Sequence, residues 1–197
     1  YEPDRWVLQG VNLTIQPGEK IAIVGGTGAG KSTIADLVLR FYDPVKGDIL
    51  IDGLNLRQLD VRSYRRHIGV VPQDPVLMKG TLAYNIAYGC NTVTQKEIQQ
   101  AAVTAGIHDY VCSLPKGYDS EVGERGITLS GGQRQRIAIA RALATDPKVL
   151  LCDEAMSALD PNTTHAILQL IQKINRELGI TVVIITHQMS VVEEVCN

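Results

Sequence analysis

The sequence has 197 residues, of which 45% are hydrophobic and 20% are charged, and its formal net charge at pH 7 is -2. This length and composition indicate a soluble protein with a substantial core, either one domain or a core with a subdomain. The slightly acidic balance argues against a nucleic-acid partner, because such partners bind to basic surfaces.

Four cysteines lie far apart in the chain, at Cys90, Cys112, Cys152 and Cys196. Because no two of them form a C-x-x-C pair, the sequence indicates neither a zinc site nor a disulfide framework and favours thiols in a reducing compartment. The longest plain apolar run, at 182–185, is far shorter than the roughly 20 residues of a membrane helix. We therefore expect any membrane role to depend on a partner.

The first elements predicted in chain order are a hairpin and a strand. Residues 11–15 alternate between apolar and polar side chains, and residues 16–19, Gln-Pro-Gly-Glu, are typical of a turn. The apolar run Lys20–Val24 comes next. We therefore expect a hairpin that leads into a buried strand.

A glycine-rich segment follows that strand. Residues 25–32, Gly-Gly-Thr-Gly-Ala-Gly-Lys-Ser, match the phosphate-binding pattern G-x-x-x-x-G-K-[ST] and precede a helical pattern at 33–39. Glycines allow successive N–H groups to point at one anion, Lys31 can reach the β- and γ-phosphates, and Ser32 can hold Mg²⁺. A plain glycine-rich turn is the alternative, which the strand and helix context disfavours. The predicted nucleotide-contacting residues are Gly25, Gly26, Thr27, Gly28, Ala29, Gly30, Lys31, Ser32 and Thr33.

Three further patterns follow the predicted P-loop helix. Residues 42–44, Tyr-Asp-Pro, are expected to end the helix, and residues 47–53 predict a short strand between turns. Residues 68–71 predict another strand, which runs into the sequence Pro-Gln-Asp-Pro. Since polar residues at strand ends are ligand candidates in α/β proteins, Gln73 is a candidate site residue.

The pattern changes to helices between residues 81 and 143. A capping box between Thr94 and Glu97 begins one of them, and we expect the region to be an inserted subdomain. Residues 129–133, Leu-Ser-Gly-Gly-Gln, place a hydroxyl and two glycines at the start of another helix. This start is a second predicted anion-binding helix terminus.

The rest of the chain alternates strands and helices. An apolar run at 149–152 predicts a strand buried on both faces, and Thr181–Thr186 predicts another. Between them, Asp160 is expected to cap a long helix that Gly179 ends, and residues 190–193 predict a capping box for a final helix. The alternation indicates an α/β fold with a largely parallel sheet covered on both faces.

Titratable side chains follow these two strands. Asp153 and Glu154 come directly after the first, where Asp153 can hold a metal or its waters and Glu154 can activate or orient an attacking water in phosphoryl transfer from Mg-ATP. A solvated strand end is the alternative. His187 follows the last strand and is either a surface or capping histidine or a donor that orients the water beside a γ-phosphate.

These motifs resemble those of the ABC ATPases and occur along the chain in the same order as in that family. The resemblance spans the whole chain. Residues 129–133 match the signature motif, residues 25–32 resemble Walker A, and residues 149–153 resemble Walker B. The remaining matches are Gln73 with the Q-loop glutamine, Glu154 with the catalytic glutamate, residues 157–160 with the D-loop that contains Asp160, His187 with the switch histidine, and Tyr1 with the aromatic residue that stacks on adenine.

The resemblance implies one ABC ATPase domain over residues 1–197. Its fold would be a P-loop NTPase core with a mostly parallel sheet, an antiparallel β-subdomain and an inserted α-helical subdomain. Residues 1–75 and 144–197 would form the core with the β-subdomain, and residues 76–143 the helical subdomain that carries the signature. Because the chain begins with Tyr1 and not with Met, we expect a piece of a longer protein, truncated at both ends.

The resemblance also implies a function. The chain would bind ATP and Mg²⁺ and hydrolyse ATP to ADP and phosphate, with Glu154 and His187 as catalytic residues. Two domains would dimerise head to tail and power transport by a membrane domain, on the cytoplasmic side, either peripheral or fused to it. The implied metal-binding residues are Ser32, Gln73 and Asp153, and the implied signature residues that act across the dimer are Ser130, Gly131, Gly132 and Gln133.

The subtype is mixed. Residues 1 to about 140 resemble exporter ATPases, whereas residues 147–197 resemble those of methionine importers, so the hypotheses are a hybrid chain or a divergent member. Met156 stands where the family often has a small polar residue, and we expect it to alter the dimer contact.

The functional alternatives are a non-transport ABC ATPase and an ATP-binding module without efficient hydrolysis. The transported substrate, the direction and the choice between homodimer and heterodimer stay open.

Overall fold

The computed structural model describes residues 6–90, 92–123 and 127–196. Its strands are β1 (Lys20–Val24), β2 (Leu50–Ile51), β3 (Leu54–Asn55), β4 (Ile68–Pro72), β5 (Gly80–Thr81), β6 (Glu121–Val122), β7 (Val149–Asp153) and β8 (Thr181–Thr186). Its α-helices are α1 (Lys31–Val38), α2 (Val61–Arg65), α3 (Leu82–Ala87), α4 (Gln95–Thr104), α5 (His108–Ser113), α6 (Gly131–Leu143), α7 (Pro161–Leu178) and α8 (Met189–Cys196).

The centre of the fold is a parallel sheet of four strands in the order β1, β8, β7, β4. Val24 at the end of β1 lies opposite Thr186, and Asp153 at the end of β7 lies opposite both Ile185 and Pro72. The carboxyl ends of all four strands therefore meet at one edge of the sheet. The short pairs β2 with β3 and β5 with β6 are antiparallel.

Hydrophobic clusters cover both faces of this sheet. Leu150 and Ile184 belong to a large cluster that also contains side chains of α4, α6 and α7. Leu151 and Val183, which are the sequence neighbours of Leu150 and Ile184, belong to a second cluster with Ala35 of α1. Because neighbouring residues of a strand point to opposite faces, β7 and β8 are buried on both sides, as their unbroken apolar runs predict.

The expected strand at residues 11–15 is absent, and that prediction is wrong. Val11 and Leu13 are both 55% exposed, and no described strand pairs with this segment. An extended segment becomes a strand only where a neighbour satisfies its backbone groups, and no strand of the described ranges does so for residues 11–15. The turn at 16–19 is present, since the Glu19 N–H donates to the Gln16 carbonyl at 3.0 Å.

Helix α1 ends before the segment that we expected to stop it. The last helical residue is Val38, and Arg40 takes a left-handed conformation with φ of 53°. The Phe41 N–H then donates to the Asp36 carbonyl at 2.8 Å, and the Arg40 N–H donates to the Leu37 carbonyl at 3.0 Å. This is a Schellman ending with arginine where glycine is usual, so the helix is closed before Tyr42.

Of the two capping boxes predicted from sequence, the one at Thr94 is confirmed. Thr94 Oγ1 accepts from the Glu97 N–H at 3.3 Å, and the Thr94 N–H donates to Glu97 Oε2 at 2.7 Å. Helix α8 begins at Met189, earlier than the start at Ser190 that the sequence predicts. The chain turns directly after β8, where the Gln188 N–H donates to Thr186 Oγ1 at 3.0 Å, and the helix therefore starts early.

Within the described ranges, no helix is long and apolar enough to cross a membrane. Met156 is only 1% exposed and packs in the large cluster together with Ile167 and Leu168 of α7. The Met156 side chain is therefore inside the core, and the expectation that this residue alters a dimer contact stays a prediction.

Helix α6 packs directly on β4, and Gly69 lies at the contact. A Cβ atom added to Gly69 would come within 3.0 Å of both the Cβ and the carbonyl oxygen of Ala142. A backbone oxygen cannot move away without shifting the helix, so this position has no room for a side chain.

We predict that Gly69→Ala lowers the free energy of unfolding by about 1–3 kcal/mol, because strand and helix must separate to admit the methyl group. Chemical denaturation measures the change. Val70→Thr is the control, since Val70 is the next residue and is 38% exposed, and its effect should stay within about 0.5 kcal/mol. Equal stability of the two variants would contradict the tight contact.

Candidate nucleotide site

The glycine-rich loop connects the end of β1 to the start of α1. Gly28 has φ of 82° and Gly30 has φ of 87°, a left-handed region that favours glycine. At Gly30 there is also no space, since a Cβ atom would lie 2.7 Å from Leu8 Cδ2. These two glycines bend the loop back toward the helix, so that the chain from Gly25 to Ser32 wraps around the helix start.

Lys31 is the first residue of α1 and is only 6% exposed. Its Nζ donates to the carbonyls of Gly25 at 2.8 Å and Gly26 at 3.0 Å, and it lies 3.7 Å from Glu154 Oε1. The ammonium is thus held over the loop and beside the end of β7. A buried cation in this position is an attachment point for phosphate oxygens.

Glu154 follows β7 and has a left-handed backbone, with φ of 49°. Its N–H donates to the Ile185 carbonyl at 2.9 Å, and its carbonyl accepts from the Ser157 N–H at 2.9 Å. These two bonds hold a conformation that costs a non-glycine residue on the order of 1 kcal/mol. The constraint turns the Glu154 side chain toward Lys31.

His187 completes a group of three charged or titratable side chains. Its Nδ1 lies 3.2 Å from Glu154 Oε2, while Oε1 of the same carboxylate faces Lys31. The three residues come from a helix start and from the ends of two strands, and the parallel sheet brings them together. A carboxylate between an ammonium and an imidazole is suited to holding and orienting a water molecule.

Asp153 is the last residue of β7. Its Oδ1 is buried and has no hydrogen-bond partner among the described residues. Burial raises the pKa of Asp153, nearby Glu154 and Asp36 raise it further, and Lys31 opposes the shift. A carboxylate oxygen that no protein group satisfies fits a cation or its bound water.

Gln73 leaves β4 at the same edge of the sheet. The preceding residue, Pro72, lies opposite Asp153, and the Gln73 side chain is exposed. Gln73 lines a small cavity of about 70 Å³ together with Gly131, Arg134 and Leu159. The glutamine therefore lies between the strand that carries Asp153 and the start of α6.

The signature residues form the start of α6. Ser130 Oγ accepts from the Gln133 N–H at 3.2 Å, and Gln133 Oε1 accepts from the Ser130 N–H at 2.8 Å, which is a complete capping box. The hydroxyl hydrogen of Ser130 is not used in this pair. Gly132 packs closely on α7, since a Cβ atom there would lie 2.8 Å from Thr163 Cγ2.

Asp160 caps α7, as the sequence predicts. Its Oδ1 accepts from the Thr163 N–H at 3.1 Å, and its Oδ2 accepts from Thr163 Oγ1 at 2.5 Å. These bonds to Thr163 hold the pKa of Asp160 below its usual range. The D-loop and the signature helix thus meet at Thr163, which contacts Gly132 on one side and Asp160 on the other.

One predicted site residue lies outside the described part of the chain, and the structure adds two polar residues to those that the sequence singles out. The residue outside the described ranges is Tyr1, the expected adenine-stacking residue. The sequence interpretation did not single out Gln135, which is 1% exposed, nor Asn85, which is 0% exposed. A polar residue on the apolar face of a predicted helix was the available signal for both.

Comparison with known proteins shows which family has these motifs. The family model described as ABC transporter matches residues 8–157. The chain belongs to the ABC transporter family. Because this family's ATP-binding domain is an ATPase, the fold and the motifs identify an ABC ATP-binding domain.

One relative of this ABC domain is named as an exporter, and another belongs to ATP-binding cassette sub-family B. The chain is 47% identical to the ATM1-type heavy metal exporter of Novosphingobium aromaticivorans over 98% of its own length and 32% of that protein. It is 49% identical to ATP-binding cassette sub-family B member 6 of Rattus norvegicus, over 98% of its length and 23% of that protein. The chain thus spans a third or less of these relatives.

A solved structure has the same fold. A bacterial Atm1-family ABC exporter with ATP bound superposes with a TM-score of 0.85 at 47% identity, over 98% of this chain and 34% of that chain. The expected α/β architecture of a P-loop NTPase, with a parallel sheet, antiparallel strand pairs and helices, is therefore confirmed.

The expected hybrid of exporter and importer halves finds no support. A match to an exporter over 98% of the chain includes nearly all of residues 147–197, the part that we expected to resemble methionine importers. The motifs in this part perform the same chemistry whatever the direction of transport, so they discriminate poorly between subtypes. The exporter resemblance covers both parts of the chain.

The unsatisfied carboxylate of Asp153 leads to a prediction about stability. Its pKa is raised in the folded chain, so at pH 7 the ionised group destabilises the fold, and that penalty disappears as the pH falls through its folded pKa. Asp153→Asn should therefore raise the free energy of unfolding at pH 7 by about 0.5–2 kcal/mol.

Chemical denaturation at pH 7 measures this gain. Glu177→Gln is the matched control, because it also neutralises one carboxylate but on an exposed face of α7, where the side chain is 53% exposed. Its effect should stay within about 0.5 kcal/mol. A loss of stability in Asp153→Asn would show that the Asp153 carboxylate is satisfied in the folded chain.

Proposed function

We propose that this chain is the motor domain of an ABC exporter, which binds Mg-ATP, hydrolyses it and drives a membrane domain. The observation that carries the proposal is the convergence of Lys31, Glu154 and His187 at one edge of the sheet, with Nζ to Oε1 at 3.7 Å and Nδ1 to Oε2 at 3.2 Å. The similarity to an ATM1-type heavy metal exporter and to an Atm1-family exporter structure supports the direction of transport. Residues 1–75 and 144–197 would form the core and residues 76–143 the helical subdomain.

ATP would bind at the loop from Gly25 to Thr33. The ammonium of Lys31 now donates to the carbonyls of Gly25 and Gly26, and phosphate oxygens would replace these carbonyls as its acceptors. Backbone N–H groups of the loop and of the α1 start would cradle the β- and γ-phosphates. Tyr1 would stack on the adenine.

Mg²⁺ fits the same edge of the sheet. Asp153 presents a buried carboxylate oxygen without a partner among the described residues, and Ser32 and Gln73 supply further oxygen ligands. When bound, Mg²⁺ supplies positive charge that stabilises the phosphate oxygens. The protein's own contribution is to hold these three side chains on the helix start and strand ends.

Hydrolysis would use Glu154 and His187. The left-handed backbone and the two hydrogen bonds of Glu154 fix its carboxylate, which would accept a hydrogen bond from the attacking water. His187 would donate to the γ-phosphate and keep the water in line. Because both side chains are fixed by strand ends, little reorganisation precedes the reaction.

Two copies of the domain would close head to tail. Ser130 keeps a free hydroxyl hydrogen after capping α6, and the two residues that follow it, Gly131 and Gly132, carry no side chain. The Ser130 hydroxyl, the backbone N–H groups of the two glycines and Gln133 would donate to the γ-phosphate that Lys31 of the other subunit holds. Asp160 lies beside them and would face the same interface. A membrane-attached domain on the cytoplasmic side would convert this closure into transport.

The charge of Lys31 should dominate ATP affinity. We predict that Lys31→Ala weakens ATP binding by about tenfold or more, because charge-assisted hydrogen bonds to the phosphates are lost. Isothermal titration measures the affinity. Lys148→Ala, which removes the same charge at a side chain that is 69% exposed, should bind ATP as tightly as the natural sequence. Equal affinities of the two variants would refute the role of Lys31.

The dimer is tested with a hydrolysis-deficient variant. Glu154→Gln should bind Mg-ATP, hydrolyse it about a hundredfold or more slowly, and accumulate as a dimer, because the closed state is no longer reopened by hydrolysis. Light scattering with and without Mg-ATP measures the mass. Undiminished turnover would take the water-orienting role away from Glu154.

Ser130→Arg in the Glu154→Gln background is the control for the interface. An arginine at the α6 start should block the opposing subunit sterically while ATP binding to the monomer is retained. Dimerisation of the double variant would place the signature outside the interface, and loss of ATP binding by its monomer would assign Ser130 to the site of its own chain.

A further inference from the structure

The segment that carries Gln73 is tied to helix α6 by side-chain hydrogen bonds. We call residues 73–79, between β4 and β5, the Gln73 loop. Gln135 Nε2 donates to the Pro72 carbonyl at 3.1 Å, at the entrance of this loop. Arg141 Nη1 donates to the Val76 carbonyl at 3.0 Å, in its middle. Both donors belong to the helix that begins with the signature.

Asn85 of α3 ties the far end of the loop to the same helix. Its amide oxygen accepts from the Met78 N–H at 2.8 Å and from Arg141 Nη2 at 3.1 Å, and its amide nitrogen donates to the Met78 carbonyl at 2.8 Å. Arg141 Nε also donates to the Asn85 carbonyl at 2.8 Å. Arg141 therefore holds the loop both directly and through Asn85.

Apolar packing of this loop rests on Leu77, which is partly buried against the large cluster. Val76 is 70% exposed and Met78 is 38% exposed, whereas Gln135 is 1% exposed and Asn85 is 0% exposed. Besides the packing of Leu77, the loop is thus fixed by buried polar groups. Such groups are costly to leave without a partner, so the bonds define one position of the loop relative to α6.

We propose that Arg141 is a positioning residue for Gln73. Together with Gln135 it fixes the Gln73 loop to the signature helix, so that Gln73 keeps its place relative to Ser130. This inference rests on the proposed role of Gln73 in binding Mg-ATP. Arg141 itself touches neither the nucleotide nor the metal in this scheme.

Arg136 is a matched control on the same helix. It is partly buried like Arg141, and burial lowers the pKa of both guanidinium groups. Its Nη1 donates to the Ala105 carbonyl at 3.2 Å, at the end of α4 and away from the Gln73 loop. Arg136→Met and Arg141→Met thus remove the same group from the same helix but release different backbone segments.

The first measurement is amide hydrogen exchange in the absence of nucleotide. Arg141→Met should accelerate exchange of the Met78 N–H, which donates to Asn85 Oδ1, by about tenfold or more, while exchange in β7 and β8 stays unchanged. Arg136→Met should leave residues 74–79 as they are. Equal exchange of the loop in both variants would overturn the anchoring role, whatever the chain does with ATP.

The second measurement is a double-mutant cycle on the affinity for ATP at limiting Mg²⁺. Gln73→Ala and Arg141→Met should each weaken binding, and the double variant should be no weaker than the worse single variant, because Arg141 acts through Gln73. Arg136→Met should neither weaken binding nor change the effect of Gln73→Ala. Thermal midpoints of all variants separate these effects from a general loss of stability.

The outcomes separate the two proposals. In one outcome, Gln73→Ala weakens binding and the fold-changes in ATP affinity of the two single variants multiply in the double variant. Arg141 then acts independently of Gln73, so the positioning role is overturned while the proposed function stands. If Gln73→Ala leaves Mg²⁺-dependent affinity unchanged, the proposed role of Gln73 fails, and the positioning role of Arg141 fails with it. A non-additive cycle together with faster loop exchange supports the inference.

Discussion

The common carboxyl edge of the four parallel strands is the constraint on which the site depends. Each strand delivers one part: β1 the phosphate loop, β4 Gln73, β7 the pair Asp153 and Glu154, and β8 His187. Because parallel strands all point in one direction, residues that are far apart in sequence emerge side by side. Burial of the sheet on both faces makes these four ends rigid relative to one another.

This edge concentrates groups that do not favour folding. Lys31 is buried, Asp153 has a buried oxygen without a partner in the described chain, and Glu154 has a left-handed backbone. Each feature is unfavourable in isolation, and the large hydrophobic clusters on the two faces of the sheet compensate for them. The same features leave charges already desolvated and oriented, which supports the proposal that this edge binds a triphosphate and its cation.

Helix α6 joins this edge to the rest of the domain. Its first residues are the signature, its middle packs on β4 so closely that Gly69 admits no side chain, and its polar side chains hold the loop after Gln73. The large hydrophobic cluster continues from the sheet through α6 into α4, so the helical region shares its core with the sheet. A movement of α6 is therefore transmitted to β4 and to Gln73 through direct contacts.

The sequence by itself determined the P-loop, the parallel α/β class, the helix caps at Thr94 and Asp160 and the set of motif residues, because each depends on local spacing and on residue chemistry. It misplaced the strand at residues 11–15 and the start of α8, which depend on partners supplied from elsewhere in the chain. Only the tertiary structure decided that Glu154 faces both Lys31 and His187, that Met156 is internal and that Arg141 anchors the Gln73 loop. These are contacts between residues distant in the chain, and hydrogen-bond geometry and packing, not periodicity, determine them.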